Sequence, residues 1–357
     1  MIAPPLAAVL ARPDLLAELS PREWEKLLDQ ARRANLATRI AVLARDSGLF
    51  PRLPPRPRAH LEAACVLVGW RHASVRWEVD CIRRALQPLG VPVVLLKGAA
   101  YLMAGLPPAR GRLFADVDLM VPRDPLAAVE KALFAHGWVS RGYDSYDQSY
   151  YRRWMHELPP MQHVTRASEL DVHHTIAPLT ARLPVDAKKL FAQARPLDIE
   201  GRFHVLAPAD MVLHSIIHLF QEGGFEHGLR DLVDIDDLLR HFGRAPDFFR
   251  ELAERAAELG LGRPLYYAAR QAQDLLGAAL PEDFLAELER YRPGAATRGV
   301  LRWTFRAGIL GDMAEGGGSF TGLARRLLYV RGHYLRMPLR LLVPHLVRKS
   351  VRRQAEA

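Results

Sequence analysis

The sequence predicts an α+β fold, a small mixed-sheet core flanked by helical N-terminal and C-terminal regions. Three observations carry this reading. Apolar residues recur at helical spacing up to Leu86, short apolar and β-branched runs replace that pattern between about 90 and 207, and helical spacing returns from Pro208. A chain of 357 residues, 49% apolar and 25% charged, is long enough to bury two or three cores and too apolar to be disordered.

Residues 1–89 form the helical N-terminal region. SPREWEKLLDQARRANLATRIAVLARDSG opens with Ser20 as N-cap, Pro21 at the first helical position and Glu23 closing a capping box, and the proline-rich LFPRLPPRPR breaks the run. A long helix follows from about Arg58 to Leu86 and ends near Pro88-Leu89-Gly90. The αβ core spans 90–207. In it VPVVLLKG reads as a buried strand, GAAYLMAG as a short helix starting at Gly98, and RLFADVDLMV as a second strand. PRDPLAAVEKALFAHGW is a helix with Asp124 as cap and Pro125 at its first position, stopped by Gly137. WVSRGY, MQHVT and ELDVHHTI read as further strands, and ARPLDIEGRFHVLA as a hairpin or crossover. Residues 208–321 form a helical C-terminal domain with breaks at Gly223-Gly224, Gly243, Gly260, Pro281, Pro293 and Gly316-Gly317-Gly318. Residues 322–357 are a basic tail.

The net charge of +9 is local. Nine Lys/Arg and one acid fall in residues 322–357, leaving the body with 40 basic and 39 acidic residues. A nucleic-acid channel through the whole protein is therefore disfavoured. The tail suits an anionic membrane surface, a polyanionic acceptor such as tRNA, or an ordinary terminal helix, and Pro338 and Pro344 interrupt it. Cys65 and Cys81 offer no metal or disulfide spacing, and no stretch resembles a signal peptide or a membrane span. A cytoplasmic location, with a membrane-peripheral one through the tail as the alternative, is the expectation.

Asp116 and Asp118 stand two apart on one strand, so both point to the same face. Two carboxylates so placed repel unless a cation lies between them, and Mg²⁺ is the hard, oxygen-loving partner. Asp171, on the later strand ELDVHHTI, is a third ligand for the same place, and three carboxylates can hold two metal ions.

Leu96-Lys97-Gly98, Arg112 four residues ahead of Asp116-Val117-Asp118-Leu119, and Asp171-Val172-His173 together resemble the uncharacterised nucleotidyltransferase family of the DNA polymerase β-like superfamily. The resemblance covers roughly residues 60 to 240. It implies a Mg²⁺-dependent enzyme that moves an NMP from a nucleoside triphosphate to an acceptor hydroxyl or phosphate, the acceptor being a small molecule, RNA or protein. By the same resemblance Asp116, Asp118 and Asp171 bind two Mg²⁺, with Asp171 also the base. Lys97, Gly98 and Arg112 meet the phosphates, and His173 lines the nucleotide site or bonds Asp171. One departure is that Lys97-Gly98-Ala99-Ala100 lacks the hydroxyl that typical superfamily members carry after the first strand. That departure supports one rival, an inactive binding or scaffold protein, and the basic tail a second, a tRNA-acting toxin-type transferase.

Two further groupings stand outside this set. His214 and His218 are four apart on one helix face, but Ser215 stands where zincin chemistry needs Glu, so a structural or cleft role is expected over a metal site. Asp231, Asp234, Asp236 and Asp237 follow Arg230 and precede Arg240, the pattern of a solvated, ion-paired face.

Overall fold

The computed structural model describes residues 5–114, 116–140, 145–197, 203–221, 225–313 and 319–342. The glycine breaks at 223–224 and 316–318, and the tail beyond 342 with Pro344, Arg348, Lys349, Arg352 and Arg353, lie outside them. The fold is α+β, with one mixed sheet between helical flanks.

The strands are β1 (Val93–Leu96), β2 (Asp116–Met120), β3 (Trp138–Val139), β4 (Met161–His163), β5 (Glu169–His173), β6 (Arg195–Pro196) and β7 (Phe203–Val205), in the spatial order β3-β4-β5-β2-β1-β7-β6. β2 lies between β1, antiparallel to it, and β5, parallel to it. All four residues of β1 are buried, as expected for a central strand covered on both faces. β6 and β7, at the two ends of the ARPLDIEGRFHVLA segment, pair antiparallel as the hairpin alternative expects, with residues 198–202 outside the described residues, and β7 then joins β1 in parallel.

Ser20 forms the capping box with Glu23 at the start of the helix Pro21–Arg33. The run read as continuous from Ser20 is split, because Asn35 takes a left-handed backbone (φ 54°) and a second helix starts at Ala37. Asparagine tolerates that conformation better than most residues. The long helix runs Pro55–Leu86, one turn earlier than Arg58, since prolines are harmless in a first turn whose N–H groups lack partners anyway. Asp124 does not cap the helix Leu126–Ala135. It lies one residue ahead of the N-cap, Pro125, and no side chain caps that end. Two helices, Ser145–Trp154 and Ala187–Gln193, occupy stretches that the sequence pattern left unassigned.

One buried apolar cluster runs from Leu6 through the sheet to Leu328. The first half of the tail belongs to it: within the helix Ser319–Arg336, Ala324 and Leu328 are buried and Arg331 donates to the Phe220 carbonyl at 2.6 Å. Among the described residues no helix is long and apolar enough to cross a membrane.

Candidate active site

Strand register builds the site. Asp118 stands beside Leu96 on one side and beside Asp171 on the other. Side chains alternate along a strand, so Asp116 and Asp118 share a face, and the parallel partner brings Asp171 to that face. One oxygen from each of the three carboxylates lies within 4.8 Å of the others.

The chain turns from β1 directly into the helix Lys97–Met103, and Lys97 takes the left-handed backbone (φ 42°) that this requires. A non-glycine residue there costs about 1–2 kcal/mol. The turn delivers Lys97 Nζ to 3.1 Å from Asp118 Oδ1. Gly98 follows because of packing, since a Cβ would sit 2.4 Å from Cδ1 of Phe114. The segment leading into β2 is held from the long helix, where Arg71 Nε donates to Phe114 O at 2.6 Å and His72 Nε2 lies 2.8 Å from Arg112 O.

Charge crowding sets the protonation states. Burial, with the charges of Asp118 and Glu157, pushes the Asp171 carboxyl up to about 8. Asp116 is raised by the charge of Asp118 and by burial. Burial opposes ionisation of Asp118 as well, yet Lys97 and His173 overcome it and hold that carboxyl below the usual range. Without a cation, Asp118 keeps its charge and Asp171 keeps a proton at neutral pH. Three carboxylates on adjacent strands, Asp118 buried and Asp116 and Asp171 half-buried, are a hard donor set with an unmet need for positive charge, which fits Mg²⁺.

Around the carboxylates stand histidines. His173 Nε2 is 3.1 Å from Asp118 Oδ1, and its Nδ1 is 3.4 Å from Glu157 Oε2. Burial disfavours the imidazolium, but Asp118 and Glu157 outweigh it and raise His173. His214, from the helix Pro208–Gln221, is pushed well below its ordinary value by burial, Lys97 and His173, so it is neutral. The Tyr101 hydroxyl lies 2.6 Å from Ser215 Oγ, which ties that helix to the Lys97–Met103 turn. A cavity of about 400 Å³ opens beside Asp116, lined by Trp70, Trp77, Ser168 and Glu169.

The profile of a family described as uncharacterised nucleotidyltransferases matches residues 20–277. The chain belongs to that family. No curated protein and no solved structure matches it.

The family match extends beyond the 60–240 region that carries the motifs, taking in the N-terminal helices from Pro21 onward and the C-terminal ones up to Leu276. Of the residues singled out from the motifs, Asp116, Asp118, Asp171, Lys97 and His173 come together. Gly98 packs beneath Phe114. Arg112 is half-buried and ion-paired with buried Asp234 of the helix Gly228–Phe242, while Arg39 pairs with Asp237. The acids of that helix are therefore a correction: Asp231, Asp234, Asp236 and Asp237 are ion-paired as expected but buried, not solvated. His218 is half-buried, 3.7 Å from Asp231. Nothing in the local sequence marks Glu157 and His156 as neighbours of the site. HELPP has no periodicity, and only the isolated bridge between Glu157 and His173 brings them there.

Proposed function

We propose that this protein transfers an NMP from a nucleoside triphosphate to an acceptor hydroxyl or phosphate, with Mg²⁺ held by Asp116, Asp118 and Asp171. The observation that carries the reading is the convergence of these three carboxylates within 4.8 Å, two of them with a raised affinity for a positive partner. Bound there, Mg²⁺ supplies charge neutralisation for the transferring phosphoryl group.

The chain's own groups divide the remaining work. Lys97 reaches the carboxylates from the end of β1 and adds a point charge toward the phosphates. Arg112 supports the same charge only by exchanging its Asp234 partner, which makes it a positioning residue in the present geometry. Asp171 accepts the acceptor's hydroxyl proton once a cation has returned it to the carboxylate form. The acceptor oxygen then forms the new bond to the α-phosphorus as the bond to pyrophosphate breaks. The Trp70/Trp77 cavity beside Asp116 offers room for a substrate ring. The rival reading, an inactive binding protein, draws on the same Lys97–Asp118 pair, which neutralises Asp118 without any metal.

Calorimetry of each NTP with and without Mg²⁺ tests the proposal, with Asp116→Asn/Asp118→Asn as control. Metal-dependent binding that vanishes in the variant supports it and identifies the nucleotide. Absence of binding of every NTP by the wild type, with the variant at least as stable as wild type, leaves the scaffold reading.

A further inference from the structure

A second donor set lies beside the carboxylates, and the geometry points to a transition-metal site of the Zn²⁺ class formed by His156, Glu157 and His173. One ligand atom from each of the three falls within 4.8 Å of the others. Glu157 Oε2 is 3.4 Å from His173 Nδ1 and 3.9 Å from His156 Nε2. A four-coordinate Zn²⁺ with bonds of about 2.0–2.1 Å separates its ligand atoms by about 3.3–3.4 Å. One edge of the set already has that length, and the second needs a shift of about 0.5 Å.

Two independent features show that these groups lack something. His173 Nδ1, the nitrogen that faces Glu157, is a buried nitrogen with no hydrogen-bond partner among the described residues, in a side chain more than nine-tenths buried. Unpaired buried polar groups cost about 1–3 kcal/mol each, so a ligand at His173 Nδ1 repairs a real deficit. In addition, His173 turns its other nitrogen, Nε2, to the Asp118 carboxylate. A metal-binding histidine characteristically donates its second N–H to a carboxylate, which fixes the tautomer and leaves the first nitrogen as ligand. The backbone holds the set in place: Glu157 bridges to His173, and His174 N donates to His156 O at 2.8 Å.

Two imidazoles and one carboxylate favour a borderline ion over Mg²⁺, which prefers oxygen alone. Three protein ligands also leave a coordination position open. Asp118 would belong to both centres, as a ligand in the carboxylate trio and as the hydrogen-bond acceptor behind His173. This site goes beyond the transferase reading and does not depend on it.

Chelator-treated full-length protein carrying Asp116→Asn/Asp171→Asn, which silences the carboxylate trio, is titrated with Co²⁺ and followed by visible absorption. We expect one Co²⁺ per chain with the intense bands of low-coordinate Co²⁺, displaced by Zn²⁺ and unaffected by excess Mg²⁺. Adding His156→Ala or the shape-conserving Glu157→Gln should abolish the bands while circular dichroism stays unchanged. Adding Asp118→Asn should weaken binding about 10–100-fold, as loss of a group behind a ligand does. Bands that survive His156→Ala, or no saturable binding, overturn the site. Bands present in wild type but missing in the Asp116→Asn/Asp171→Asn background assign the ion to the aspartates and overturn it equally.

Discussion

Replacing Asp171 with Asn should stabilise the ion-free protein, although Asp171 is placed in the catalytic machinery. In the fold its carboxyl titrates at about 8 against an ordinary 3.8, chiefly because of burial and the charge of Asp118. At neutral pH the unfolded chain releases that proton and the folded chain retains it. Each pH unit between the ordinary value and neutrality costs about 1.4 kcal/mol, so the ceiling at pH 7 is about 4 kcal/mol. Partial access of water to the side chain reduces the expected gain to about 1–3 kcal/mol. The sign follows from linkage: a raised folded pKa leaves stability intact below the unfolded pKa and erodes it as pH climbs to the folded one. The advantage of Asn should therefore be absent near pH 4 and grow toward pH 8. Urea unfolding of chelated wild type and Asp171→Asn across that range measures it. Added Mg²⁺ should then stabilise wild type more than the variant. A variant that is less stable by the same amount at every pH would refute the crowding argument.

Other outcomes follow from packing and pairing. Arg112→Ala leaves the Asp234 charge buried without its partner and should cost about 3–5 kcal/mol in urea unfolding, with Asp234→Ala in the same chain restoring part of the loss. Gly98→Ala forces a methyl group into Phe114 and should cost about 1–3 kcal/mol, with Phe114→Leu as the compensating change. Ending the chain at residue 321 removes buried Ala324 and Leu328 and the Arg331–Phe220 bond, so the melting temperature should fall. An unchanged melting temperature would mean that this helix adds no stability.

The carboxylates were legible because a strand's two-residue period needs no tertiary knowledge: D-V-D places two acids on one face wherever the strand goes. Lys97 was legible for a similar reason, since an apolar run ending in a charge marks a strand's exit from the core. Partners that depend on long-range assembly were not. Arg112 and Asp234 are 122 positions apart by their numbers, and nothing local distinguishes a helix acid that meets a half-buried arginine from one that meets water. Gly98 illustrates a third situation. The residue was visible, but its packing reason is a ring supplied from Phe114, ahead of the next strand. The helix Ser145–Trp154 escaped notice because SYDQSYYRRW carries no apolar period to read.

The sheet order has a consequence for how the protein folds. β1 and β2 are neighbours in both sequence and space, so Asp116 and Asp118 settle early beside Lys97, with few loops to close. Asp171 arrives only when β5 docks, after two helices and two further strands have intervened. Repulsion among the three acids is then a late event, felt after the main closure has been made. In the absence of divalent ions, alkaline conditions should accelerate unfolding far more than they slow refolding, the kinetic mark of an interaction formed after the transition state. Divalent ions should reverse this, acting as a latch between β5 and β2.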